Sequence, residues 1–131
     1  MESADALLNR LRAPAGLVLI ALTAAPWLTR EHQGIREYYS KWDGLVVANS
    51  QFLGLAVAAA VIIVLMGALI AVAASPAATV AGGSLILLDT IISMLNTDGG
   101  FTPASGAWIT AALSACMVAL GLAASMSQRR R

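Results

Sequence analysis

One cysteine, one histidine and one lysine in 131 residues leave most forms of site chemistry without their reagents. Cys116 lies inside an apolar run, which excludes an intramolecular disulfide and any cysteine-built metal cluster. His32 stands beside Glu31, but no second histidine or cysteine completes a metal site, so it reads as a solvated loop residue rather than a ligand or pH sensor. The serines and threonines of the apolar stretches have no base beside them, and nucleophilic catalysis has no support. Gly82, Gly83 and Ser84 invite comparison with a phosphate-binding turn, yet no strand precedes them and no lysine follows at the P-loop spacing; they read as close-packing glycines. Charged residues make up only 11% and the net charge is +1, so there is no basic surface for nucleic acid. The expectation is a non-enzyme without cofactor or metal.

What the chain has in excess is apolar surface. Hydrophobic residues reach 59% and the mean hydropathy is +0.79, more than one soluble core of this size could hide. The chain therefore belongs in a membrane. Seven arginines against one lysine, with abundant alanine, resemble the usage of high-GC bacteria.

The organising stretch is Thr79 to Asn96, which sets Asp89 in the middle of an otherwise uncharged segment. Pro76 to Asn96 would span about 30 Å as a helix, the thickness of a bilayer core. Inserting an Asp at mid-helix costs roughly 2.5 to 3.5 kcal/mol, which the surrounding leucines and isoleucines outweigh. Thr79, Gly82, Asp89, Ser93 and Asn96 share a stripe about 100° wide, broken only by Ile86. Such a stripe belongs against other helices, because lipid offers no hydrogen-bond partner.

The remaining chain divides around it into one membrane domain. Residues 1–13 read as a cytoplasmic surface helix with Leu7, Leu8 and Leu11 on one side. Spans follow at about 14–29, 50–74, 76–96 and 104–127, with outer loops at 30–49 and 97–103 and an arginine tail at 128–131. Arg10 and Arg12 ahead of an apolar run also resemble a signal peptide, but Pro26 directly after the small residues argues against cleavage. In the first loop Ile35, Tyr38, Tyr39 and Trp42 recur at three- and four-residue spacing, which predicts a short interfacial helix with an i,i+4 pair between Glu37 and Lys41. Ser75 and Pro76 predict a tight hairpin between spans two and three. On the last span Gly106, Thr110, Ser114 and Gly121 form a small-residue face for close helix approach. The expected fold is thus an all-α, antiparallel four-helix transmembrane bundle with an interfacial helix in the first outer loop.

Charge sets its orientation. Arg10, Arg12, Arg129, Arg130 and Arg131 share one side against Arg30, Arg36 and Lys41 on the other, so both termini should be cytoplasmic, in a bacterial plasma membrane. The terminal arginines serve as topology determinants or as contacts for anionic head groups. The aromatic residues, Trp27 through Trp108, all map to the outer level.

This layout, with its short first span, aromatic and charged outer loop, tight hairpin and last span entered through GGFTPASGAW, resembles many small four-span actinobacterial proteins. The resemblance is one of topology and carries no functional residues across.

No other span contains Lys, Arg, His, Glu or Asp, so Asp89 has three explanations. It makes a structural hydrogen bond, as a neutral acid donating to Ser114, Thr110 or a backbone carbonyl; it pairs with a basic residue of another chain; or it relays protons or cations. Asp89, Ser93 and Asn96 are the candidate intramembrane site, with Gly82, Gly106, Thr110, Ser114 and Gly121 as packing positions. The leading expectation is a small non-catalytic accessory subunit of a larger membrane complex, respiratory or transport, partnered by lipid and other membrane subunits. The alternative is a self-associating small transporter or channel using Asp89. Size and span count alone would also fit a membrane-permeabilising protein.

Overall fold

A computed structural model describes residues 3–43, 53–73, 75–95 and 101–130, with the backbone alone given for 53–57. Asn96 and Arg131 lie outside the described residues.

The first helix, α1, runs from Ala4 to Leu22. Ser3 caps it by accepting the Ala6 N–H at 3.2 Å, and Asp5 places negative charge in the first turn, where the helix dipole favours it. The expected surface segment and the start of the expected first span are therefore one continuous helix, which runs through Pro14 without ending. The second helix, α2, covers Leu53–Val72 and the third, α3, covers Pro76–Leu95, with Pro76 in the opening position where its missing N–H costs nothing. The fourth, α4, covers Ser105–Arg129.

Among the described residues of the first outer loop the expected interfacial helix is replaced by strands, and the fold is not purely helical. Strands β1 (Leu28–His32) and β2 (Ile35–Tyr39) form an antiparallel hairpin, and β3 (Thr102–Pro103) pairs with the other edge of β1, giving the order β2-β1-β3. His32 opposes Ile35, so the turn is the two residues Gln33 and Gly34, both with positive φ (53° and 77°). Two left-handed residues in a row fit the twist of a hairpin and end a helix outright. The aromatic spacing of Ile35, Tyr38 and Tyr39 satisfies a helix equally well on paper; the turn and the distant Thr102–Pro103 strand decide for the sheet.

The four described helices form a ring in which each packs chiefly against two neighbours: α1 on α2, α2 on α3, α3 on α4, and α4 on α1. Neighbours are antiparallel. Arg12 of α1 bonds Ala73 just past α2 while Ile20 meets Gly67, and on the other side Asp5 meets Gln128 while Gly106 meets Pro26. Leu8, Leu19, Ile63, Ile70, Ile86 and Met117 belong to one buried core. Backbones approach where side chains are missing. A methyl group added at Gly16 would stand 2.8 Å from the Ala71 Cβ, and one at Gly106 2.5 Å from the Pro26 carbonyl oxygen.

Two helices, α3 and α4, are long and apolar enough to cross a membrane. Only 28% of the apolar window of each is buried within the chain, where the core helix of a soluble protein would be mostly covered. Their outward surface calls for an apolar medium, which points to membrane association.

Candidate functional site

The site forms where the sheet folds back over the bundle. Thr23, just past α1, donates its hydroxyl to Ile20 O at 2.6 Å and accepts the Trp42 indole N–H at 2.9 Å. Trp27, only 2% exposed, donates its own indole N–H to Leu22 O at 2.7 Å. Its backbone N–H donates to Tyr39 O, while its carbonyl accepts from Ala104, tying the hairpin to the segment leading into α4. The Lys41 N–H donates to Thr23 O at 3.1 Å, so the residue after β2 is held against the end of α1. From there its side chain enters the bundle.

Asp89 and Ser93 are one helical turn apart on α3 and share a face. Lys41 Nζ reaches both: it lies 2.8 Å from Asp89 Oδ2 as an ion pair and donates to Ser93 Oγ at 2.7 Å. The aligned hydrogen bond is the one to Ser93; the carboxylate oxygen makes a close charge contact outside hydrogen-bond geometry. The same ammonium sits 4.8 Å from the Trp27 ring centroid, on a π face that attracts cations. The side chains of Lys41 and Asp89 are only 11% and 22% exposed. Asp89 precedes Leu95, the last residue of α3, by six residues, about 9 Å of helix. A lysine at the sheet end can span that depth with its aliphatic stem.

This corrects the expectation that Asp89 has no internal partner. A search confined to the spans misses Lys41, which lies in a loop and reaches the acid only because the hairpin folds back. The expected Glu37–Lys41 pair is likewise absent, since strand geometry sends Glu37 to Arg30 instead, at 3.1 Å. Nor do Ser114 and Thr110 serve the acid as acceptors of its proton. Thr110 donates to Gly106 O and Ser114 to Thr110 O, each at 2.7 Å, so both satisfy themselves on their own helix.

The other named positions take these places. Gly82 is buried against Met66 and Ile70 of α2, and Gly121 faces Pro76 and Val80 of α3. Arg12 donates to the Ala73 carbonyl; Arg10, Arg129 and Arg130 are exposed at the opposite end of the bundle from the sheet. His32 is exposed at the hairpin turn, and the described residues hold no group of three metal-ligating side chains.

A second polar cluster, on the sheet itself, went unnoticed in the sequence. Arg30 contacts Glu37 and lies 3.3 Å from the Tyr39 hydroxyl, while its guanidinium covers the Phe101 ring at 4.7 Å. Tyr39 and Phe101 meet edge to face at 5.5 Å. The Tyr39 hydroxyl donates to Glu37. That bond, then the Arg30 hydrogen bond, holds the Glu37 carboxyl below the usual range, and the same Tyr39–Glu37 bond raises the Tyr39 phenol. Arg30 is raised further from titration, chiefly by Glu37. Thus, among the described residues, the sheet end carries three ion pairs: Arg36–Glu31 exposed, Arg30–Glu37 half-exposed and Lys41–Asp89 mostly covered. No family model matches the chain, and comparison with curated proteins and with solved structures gives no match.

Proposed function

We propose that this chain is a small non-catalytic accessory subunit of a larger membrane assembly, respiratory or transport, in a bacterial plasma membrane. In this reading all four helices cross the bilayer, both termini are cytoplasmic, and the sheet caps the bundle on the outer side. The observation that carries it is the use made of Asp89. The acid at depth on α3 is matched by Lys41 at 2.8 Å and locks the sheet to α3, a structural role that leaves the outward helix faces for lipid and neighbouring subunits. Leu85, Leu88 and Ile92 on α3 and Trp108, Ile109 and Leu122 on α4 are among the exposed apolar side chains available for such contact.

The rival reading, a self-associating transporter or channel, has less support from this geometry. A relay through Asp89 would have to break the contact with Lys41 in each cycle, and the only other carboxylate on the described helices, Asp5, lies at the opposite end of the bundle beside Gln128. Purification of the tagged protein from its native membranes in mild detergent tests both, with mass spectrometry of stoichiometric partners. Recovery within a large complex supports the accessory role. Recovery alone, together with ion flux in liposomes that Asp89→Asn abolishes, would replace it with the transporter.

A further inference from the structure

At the end of the bundle away from the sheet, α1, α3 and the end of α4 line a half-open cavity of about 250 Å³. Arg12, Asn9 and Asp5 line it from α1, Ser75, Pro76 and Thr79 from the start of α3, and Gln128 from α4. Three features give it a definite chemistry. Arg12 brings a cation, held in place by its bond to the Ala73 carbonyl. The 20-residue helix α3 begins at its wall, so the positive end of its dipole faces this region, although Pro76 offers no N–H and the Thr79 N–H is taken by Ser75 O. Third, Thr79 is completely buried, yet its hydroxyl has no hydrogen-bond partner in the chain.

That last observation is the unusual one. A buried threonine in a helix commonly returns its hydroxyl to a carbonyl one turn earlier, as Thr90, Thr110 and Ser114 all do here. An unmatched hydroxyl is costly unless something outside the chain satisfies it. The opposing charge is Asp5, two helical turns from Arg12 and about 10 Å along α1, where it accepts from Gln128 at 3.3 Å. Acid and cation are thus set two turns apart along α1. Arg129 and Arg130 follow Gln128 and add positive potential outside.

We infer that this cavity is a binding site for a phosphate-bearing anion, with the phosphate seated between Arg12, the start of α3 and the Thr79 hydroxyl. The chemistry suits the head group of an anionic phospholipid and a free phosphate alike. A guanidinium binds phosphate oxygens strongly and the positive end of a helix dipole favours them, and basic pockets between membrane helices on the arginine-rich side hold such head groups. The inference does not depend on the accessory reading, since a solitary protein would present the same cavity.

The full chain in uncharged detergent is titrated by calorimetry with inorganic phosphate, with short-chain phosphatidylglycerol and with short-chain phosphatidylcholine as the uncharged-head control. Saturable binding of phosphate identifies a small phosphoryl ligand; binding of phosphatidylglycerol alone identifies a lipid head group. Thr79→Val is the decisive variant. Its hydroxyl serves no partner in the chain, so melting without ligand should be unchanged, while affinity should fall about tenfold or more through one lost charge-assisted bond. Arg12→Gln should weaken binding at least as much, and Arg129→Gln with Arg130→Gln by less. Absence of saturable binding of either phosphate probe overturns the proposal, as does equal affinity of Thr79→Val and wild type, or binding that the two tail substitutions alone remove. If Arg12→Gln fails to fold, Thr79→Val still decides.

Discussion

Replacing Lys41 by methionine keeps most of the side chain's length and removes only the charge that meets Asp89. The cost follows from burial. Removing one member of a fully buried pair costs about 3–5 kcal/mol because the other charge is left uncompensated, whereas exposed pairs are worth about 0–1 kcal/mol. At 11% and 22% exposure the pair lies near the buried limit but keeps some solvent contact. The hydrogen bond to Ser93 and the contact with the Trp27 face disappear too. A loss of about 2–4 kcal/mol is expected for Lys41→Met. Equilibrium unfolding in mixed micelles, titrated with a denaturing detergent and followed by circular dichroism, measures it. The double variant Lys41→Met with Asp89→Leu supplies the control, because exchanging a buried pair for apolar groups is often neutral or stabilising. It should recover to within about 1 kcal/mol of the wild type, giving a large coupling energy in the cycle. Lys41→Met within about 0.5 kcal/mol of the wild type would mean that the clasp does not hold the sheet to the bundle, and the structural role assigned to Asp89 would fall with it.

Three further outcomes follow from particular contacts. Gly16→Leu forces α1 away from Gly67 and Ala71 and should destabilise by about 1–3 kcal/mol in the same micelle assay, while Leu17→Ala on the exposed side of α1 should change little. At Gly34 a side chain meets open space, so Gly34→Val tests backbone conformation alone; φ of +77° should make it cost about 1–2 kcal/mol and loosen the hairpin to limited proteolysis. The lowered Glu37 carboxyl gives its stabilisation in full above the ordinary carboxylate range and loses it as the pH falls through the lowered folded value. The raised Tyr39 phenol contributes below its ordinary range and loses its contribution as the pH rises through the raised value. Tyr39 ring signals in NMR spectra should therefore report a loosened hairpin at both extremes, and Glu37→Gln should flatten the acid limb; an unchanged acid limb would show that the hairpin owes nothing to this carboxylate.

Helices α2, α3 and α4 were legible because their signals are local, whereas α1 ignores the boundary expected at Pro14 and stops at Leu22, short of the expected span. Apolar length predicts α3 almost residue for residue, Ser75 and Pro76 mark its start, and the small residues of α4 anticipate backbone contact. The hairpin was not legible from the same kind of signal. Ile35, Tyr38, Tyr39 and Trp42 satisfy helical spacing, and the choice rests on Gln33 and Gly34 adopting positive φ and on a strand some 70 residues away. The partner of Asp89 was hidden for the same reason. A one-dimensional search matches charges within spans, whereas Lys41 enters from a loop that only the folded sheet directs inward.

By itself, then, the sequence determined the apolar helical stretches, the start of α3 at Pro76 and the single acid at depth, because helix length and the cost of a charge in an apolar medium depend on composition and neighbours along the chain. Tertiary structure alone decided which residue neutralises that acid, which threonine hydroxyl is left unmatched, and that the polar loop is a sheet. Each of these is a question of which groups meet across dozens of residues, and only the folding-back of the hairpin and the closing of the helix ring bring them within bonding distance.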